Sequence, residues 1–198
     1  GEDRLVGPIF TRSIQSYSAQ NGSRLPAIEG GFAAIEGEFL LRLGADAPVG
    51  KTNWTVEEAR EIIDEVFCGI ELAGSPFPGI NDFGPCITVS DFGNNAGLIV
   101  GPVFEGWRTK PMGEWSCETW IDGDSVGTGS AATMPGGVFE SARFALMRNA
   151  ERGMPLQKGH LISSGAISGV HAIGIGQRGK VRFGDGNVIE TEMVRQSA

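Results

Sequence analysis

The sequence predicts a β-rich α+β domain with two main helices. Three observations carry the prediction. Glycine makes up 31 of the 198 residues and is spread along the chain, which implies many tight turns and close backbone approaches. Apolar–polar alternation recurs in short segments bounded by turn residues. Only two segments combine helical periodicity with start and stop signals. The length suffices for one domain with a sizeable core, and no repeat, low-complexity stretch or linker divides it. Residues 1–198 are therefore read as a single domain, with residues 1–30 as a loop-rich lead-in.

In the lead-in, residues 6–10 read as a short strand and residues 16–24 as a polar surface loop. Phe32–Leu43 alternates as a strand. Ile35, Gly37, Phe39, Leu41 and Leu43 fall on one face, and Glu36, Glu38, Leu40 and Arg42 on the other. A helix follows, opened by a Thr55–Glu58 capping box, with Val56, Ala59, Ile62, Ile63, Val66 and Phe67 as its apolar stripe. Its acids, Glu57, Glu58, Glu61, Asp64 and Glu65, read as a solvated face. Gly69 is expected to end it before Ile70-Glu71-Leu72.

Residues 74–79 form a Pro/Gly-bounded loop, and residues 91–97 precede a strand over 98–103. Residues 115–121 alternate and turn back at Asp122-Gly123-Asp124 through residues 125–129, a hairpin signal. The second helix spans residues 138–152 and stops at Gly153 with Pro155 beyond. A short strand over 160–164, a glycine turn over 165–169, and a closing hairpin of residues 180–183 and 188–194 complete the reading.

Composition excludes several classes. The net charge is -8, and no run of Lys or Arg offers the basic patch that a nucleic-acid partner needs. No apolar run reaches the roughly 20 residues of a membrane span, and no leader is visible at the start. Cys68, Cys86 and Cys117 are odd in number, widely spaced and without a CxxC. They are read as buried free thiols, and the expected location is the cytoplasm. The sequons at Asn21 and Asn53 are read as chance matches. Gly174-Ile175-Gly176-Gln177-Arg178-Gly179 fits G-x-G-x-x-G but leads into a hairpin rather than a helix, so its glycines are turn glycines. His160 and His171 lack the neighbours of a catalytic triad. Trp54, Trp107, Trp115 and Trp120 are read as core or interface anchors.

The chemistry concentrates at Glu36, Glu38 and Glu71. Residues two apart on a strand point the same way, with Cα atoms about 6.5–7 Å apart, so Glu36 and Glu38 can converge on one ion. Hard divalent cations want oxygen ligands and keep positions open for water or substrate. The bland alternative is two half-exposed acids and an unrelated third. Against it, Glu71 lies between Ile70 and Leu72, where an unpaired buried carboxylate is costly.

Ala34-Ile35-Glu36-Gly37-Glu38-Phe39-Leu40 resembles the metal-binding E-x-E strand of the 2-keto-4-pentenoate hydratase and 4-oxalocrotonate decarboxylase group, within the fumarylacetoacetate hydrolase superfamily. Glu71 falls where that group places its third metal carboxylate. The segments at 90–97, 127–135 and 161–169 are similar to the group's polar loop, hairpin-to-helix passage and glycine-bounded strand and turn. The resemblance runs from about Val6 to Val194.

It implies a mixed-sheet roll of the superfamily's C-terminal, catalytic type, with Mg²⁺ or Mn²⁺ held by Glu36, Glu38 and Glu71. It also implies a small 2-oxo or 2-hydroxy-dienoic acid chelated by that ion through its carboxylate and adjacent oxygen. Ser164, Ser168, Asn94 and Asn95 are the expected polar contacts to substrate or water. The implied activity is a hydratase of aromatic catabolism. A 4-oxalocrotonate-type decarboxylase is the alternative, followed by an acylpyruvate hydrolase, for which no His–Glu pair is found. A non-catalytic oxo-acid-binding subunit is the reading from outside enzymology. The family's N-terminal lid and catalytic lysine have no counterpart in this sequence, as expected of a fragment or a trimmed chain. A homo-oligomer is expected.

Overall fold

A computed structural model describes residues 4–20 and 22–197. The sequon at Asn21 and the first three residues lie outside the described part. Among the described residues, eleven strands form two sheets, accompanied by three α-helices. In chain order these are β1 (Ile14–Ser16), β2 (Ser23–Ala27), β3 (Phe32–Leu43), α1 (Val56–Glu61), β4 (Ile63–Ser75), α2 (Pro85–Ser90) and β5 (Asn95–Val103). They continue with β6 (Ser116–Ile121), β7 (Asp124–Ser130), α3 (Val138–Glu151), β8 (Leu161–Ser163), β9 (His171–Ala172), β10 (Arg178–Phe183) and β11 (Val188–Arg195).

One sheet has the order β1-β5-β4-β3-β8, with β9 also pairing β3; the other has the order β2-β11-β10-β6-β7. Pairing is antiparallel except for β1 with β5 and β2 with β11. The expected β-rich α+β architecture is observed. Among the described residues no helix is long and apolar enough to cross a membrane.

The core lies between the sheets. Phe39 of β3 meets Phe104, Trp115 and Phe183 edge-on, at centroid distances of 4.9, 5.4 and 5.6 Å. These are favourable geometries for aromatic quadrupoles. Trp115 in turn meets Phe139 of α3 at 5.8 Å, tying that helix to the same cluster. Gly37 faces the second sheet so closely that a Cβ there would run into Cys117 Sγ and Val181. The lack of a side chain at Gly37 is what lets the sheets approach at this point.

β3 has the bounds predicted from its alternation, Phe32–Leu43. The β6–β7 hairpin turns at Asp122 (φ 51°) and Gly123 (φ 96°), the left-handed pair that a two-residue Asp-Gly turn requires. α3 and the β10–β11 hairpin also fall where expected.

Other expectations are corrected. The predicted first helix keeps its capping box, with both Thr55–Glu58 hydrogen bonds present, but ends at Glu61. Ile63, Val66 and Phe67 belong to β4, which pairs with β3 from Phe32↔Ser75 to Leu43↔Ile63. A long cross-strand ladder outweighs the helical stripe beyond Glu61. Asp64 and Glu65 consequently flank Arg42, at 3.0 and 2.8 Å, rather than lying on a helix face.

Residues 6–10 form no strand; the chain instead makes a 3-10 turn, Thr11–Ser13, and enters β1. None of β1, β2, α2 and β9 was predicted, and β2 begins at buried Ser23, inside the segment read as a surface loop. α2 buries none of its residues, so it writes no apolar stripe into the sequence. Cys68 and Cys117 are buried free thiols, but Cys86 on α2 is exposed. Trp54, Trp107 and Trp115 are core residues. Trp120 is half-buried under Lys180 and Arg182.

Candidate functional site

Strand parity builds the site. Glu36 and Glu38 share the face of β3 that points away from Phe39, and Glu71 of β4 is the direct register partner of Glu36. Leu98 of β5 is the partner of Glu71, and Ser163 of β8 is the partner of Leu40. Cross-strand partners point the same way, so Leu98, Leu40 and Ser163 lie on the carboxylate face. Leu40 and Leu98 are fully buried and form apolar walls beside the acids.

Glu38 is 1 % exposed. Glu36 and Glu71 keep some surface in solvent, yet protein surrounds each on most sides. Burial pushes the Glu36 carboxyl up to about 8, helped by the charge of Glu71 and opposed by a hydrogen bond with Glu38. Burial, then Glu71 and Glu36, hold Glu38 well above the usual carboxylate range. Glu71 is also raised, chiefly by burial, against hydrogen bonds with Asn95 and Ser163. Among the described residues no Lys, Arg or His is a cause of these shifts. The arrangement is a concentration of buried negative charge without a protein cation, and such a cluster either binds protons or calls for a bound cation.

The sequence-predicted residues divide here. Glu36, Glu38 and Glu71 come together. Among the described residues, however, no group of three or more His, Cys, Asp or Glu side chains stands in an arrangement that holds a metal ion. The three acids are neighbours held by hydrogen bonds rather than a preformed cage. As a donor set, three carboxylates match a hard divalent ion, which binds through oxygen and keeps open positions.

Asn95 joins the cluster through its contact with Glu71, and its Oδ1 is buried without a hydrogen-bond partner. The loop entering it is strained, with Phe92 and Asn94 both at φ 55°, a conformation non-glycine residues seldom hold. Asn94 accepts from Gly74 N–H at 2.7 Å through its backbone carbonyl, and its side-chain amide donates to Asn81 at 3.4 Å.

The two predicted serines are not brought to the carboxyls. Ser164 Oγ accepts from the Phe39 N–H at 3.1 Å and donates to the Gly165 carbonyl at 3.1 Å. Ser168 lies behind β3, beside Gly37, where its hydroxyl pairs with Thr119 at 2.7 Å. The residues that do meet Glu38 are Ser163, whose hydroxyl donates to Oε2, and Gly165, whose N–H donates to the same oxygen at 2.8 Å. Parity was the available signal, since adjacent residues of a strand face opposite ways and only one of Ser163 and Ser164 can face the acids.

His171 pairs in register with Ile35, on the core side, and its Nε2 contacts the Ser168 carbonyl at 2.8 Å. His160 accepts from the Gln157 N–H. Cavities of about 450 and 390 Å³ open elsewhere, around residues 27–33 with 172–177 and around 116–118 with 182–186; none of the three acids lines either.

No family model matches the sequence, and no curated protein matches it. The fold does match solved structures. 4-oxalocrotonate decarboxylase from Pseudomonas putida G7, complexed with magnesium and adipate, superposes with a TM-score of 0.76 at 18 % identity, over 92 % of this chain and 67 % of that one. Fumarylpyruvate hydrolase from Pseudomonas aeruginosa, in complex with Mn²⁺ and pyruvate, gives 0.69 at 14 % identity, over 93 % and 76 %. 5-carboxymethyl-2-hydroxymuconate delta-isomerase from Mycobacterium smegmatis gives 0.67 at 16 % identity, over 100 % and 74 %. The chain spans about two thirds of the decarboxylase. At these identities the likeness establishes the fold, which is the fumarylacetoacetate hydrolase C-terminal type expected from the sequence.

Proposed function

We propose that a chain with this fold and this carboxylate cluster is a divalent-cation-dependent enzyme acting on small 2-oxo or 2-hydroxy-dienoic acids, as a hydratase. The carrying observation is that Glu36, Glu38 and Glu71 are gathered on one face, mostly buried, without a basic partner among the described residues. Mg²⁺ or Mn²⁺ is the proposed ion, in keeping with the magnesium and Mn²⁺ of the decarboxylase and hydrolase structures. When bound, it supplies Lewis-acid stabilisation of negative charge developing on the substrate.

The protein's own contributions are positional. Glu36, Glu38 and Glu71 hold the ion, and the repulsion among them that burial intensifies is relieved when it binds. Leu40 and Leu98 exclude water from one side of the cluster. The unpartnered Oδ1 of Asn95 is a hydrogen-bond acceptor for a hydroxyl or water beside Glu71. A homo-oligomer belongs to the same proposal, supported by exposed Phe83, Val89 and Phe92 around α2, apolar surface of the kind that association covers.

Decarboxylation is the second reading, favoured by the TM-score of 0.76 to 4-oxalocrotonate decarboxylase. Acylpyruvate hydrolysis ranks below both, because His171 lies on the opposite side of β3 from Glu36 and His160 is held by its own turn.

One experiment tests the proposal. Metal-free protein is titrated calorimetrically with Mn²⁺ and then assayed, loaded, with 2-hydroxypenta-2,4-dienoate and with 4-oxalocrotonate. Hydration of the first is the expected result, while release of CO₂ from the second moves the assignment to the decarboxylase. Cation binding without turnover of either leaves a non-catalytic binding subunit. Glu38→Gln is expected to weaken Mn²⁺ binding by about 100-fold or more, and unchanged binding would sink the metal assignment.

A further inference from the structure

We infer that Ser163 is a positioning residue whose hydroxyl, donating to Glu38, holds that carboxylate in the orientation that receives a divalent cation. The inference rests on the cation-site reading above. Its own basis is the placement of one hydroxyl and one backbone N–H from the end of β8 on a single oxygen of Glu38.

β8 is only three residues long, and its register fixes which serine meets the site. Leu40↔Ser163, Leu41↔Ile162 and Arg42↔Leu161 are the partners, so Ser163 emerges on the carboxylate face. Ser164, one residue on, serves the Phe39 and Gly165 backbone. The Ser163 hydroxyl donates its proton to Glu38 Oε2. Gly165 N–H adds a second donor to Glu38 Oε2 at 2.8 Å. Both donors come from the same strand end, and both act on the same oxygen. Oε2 is thereby fixed against the end of β8, which sets the orientation of the whole carboxyl.

A hydroxyl suits this task better than a basic side chain. It offers one donated proton and two acceptor positions and adds no net charge, so it orients the acid without competing for the cation's place. Outer contacts of this kind fix ligand orientation, and their loss typically costs about 10- to 100-fold in metal affinity. Ser163 is half-buried at a strand end, and its backbone pairing with Leu40 does not depend on its side chain. The site's metal affinity can therefore be separated from the fold.

The test compares wild type, Ser163→Ala and Ser163→Thr as metal-free full chains. Mn²⁺ is titrated by calorimetry and the bound ion is read by electron paramagnetic resonance, with circular dichroism confirming the fold. Ser163→Ala is expected to weaken Mn²⁺ by about 10-fold or more and to alter the spectrum of the bound ion, while Ser163→Thr stays within about 3-fold of wild type. Wild-type affinity and spectrum in Ser163→Ala overturn the inference but leave the cation site standing. Equal loss in the Ala and Thr variants also overturns it, because the hydroxyl is then not what matters. A wild type that binds no Mn²⁺ removes the cation site itself, and this inference with it.

Discussion

The two faces of β3 are made from alternate residues of one strand and do opposite things. On one face Ile35, Phe39 and Leu41 are fully buried, and Gly37 is pressed against Cys117. On the other, Glu36 and Glu38 crowd Glu71 in surroundings that favour their neutral forms. The first face gains free energy from burial, and the second loses it unless protons or a cation neutralise the acids. Their adjacency shows how an unfavourable carboxylate cluster is maintained. The backbone positions of Glu36 and Glu38 are fixed by packing on the other side, so the acids cannot separate by moving the strand.

Breaking the packed face should produce the largest effect. Phe39→Ala removes a ring that touches Phe104, Trp115 and Phe183, and an expected loss of about 3–5 kcal/mol would be read from denaturant unfolding. The loss should be the same with and without Mn²⁺, provided the variant still binds it. A smaller loss would mean that the cluster does not anchor the strand.

The acidic face should respond to pH with the opposite sign from ordinary surface carboxylates. Glu36 is raised from the ordinary 4.5 to about 8 in the folded chain, so between those values the native state carries more protons than the unfolded one. Stability of the metal-free protein therefore falls as pH rises through that window and levels off above it. The melting temperature is expected to drop by roughly 5–10 °C between pH 5 and pH 8.5, and Glu36→Gln should flatten the slope. A metal-free protein whose melting temperature does not change with pH would show that the acids are not desolvated. Asp64 and Asp122, whose carboxyls are lowered, act only at more acidic pH and do not enter this window.

A milder change sharpens the comparison at the point where the faces meet. Gly37→Ala places a methyl against Cys117 Sγ and Val181, at an expected cost of about 1–3 kcal/mol in thermal or denaturant unfolding. Adding Cys117→Ala makes room and should recover part of that cost. Absence of any recovery would mean that the sheets separate at Gly37 rather than repack.

Much of this organisation was legible in the sequence because it is local. The alternation of residues 32–43, the Asp-Gly turn at 122–123 and the helix stopped at Gly153 are set by neighbours along the chain. So is the placing of Glu36 and Glu38 on one face. What was missed depends on distant partners. Ile62 to Phe67 satisfies a helical period as well as a strand, and only the ladder to Leu43, Arg42 and Leu41 decides for β4. The segment α2 packs nothing against the core, so no periodic pattern marks it. The choice between Ser163 and Ser164 required the β8 register, and Ser168 is placed behind β3 by a turn whose path no local pattern encodes.

The three cysteines differ in a way that bears on experiment. Cys68 and Cys117 are sealed in the core, where burial pushes Cys117 up to about 12 and Cys68 higher still. Neither presents a thiolate, the reactive form, near neutral pH. Cys86 is exposed on α2, five residues before Asp91, where the strained loop to Asn95 begins. Among the described residues Cys86 is thus the single accessible attachment point for a thiol-directed dye. A fluorophore placed there would sit on the segment leading into the carboxylate cluster, with no engineered cysteine required.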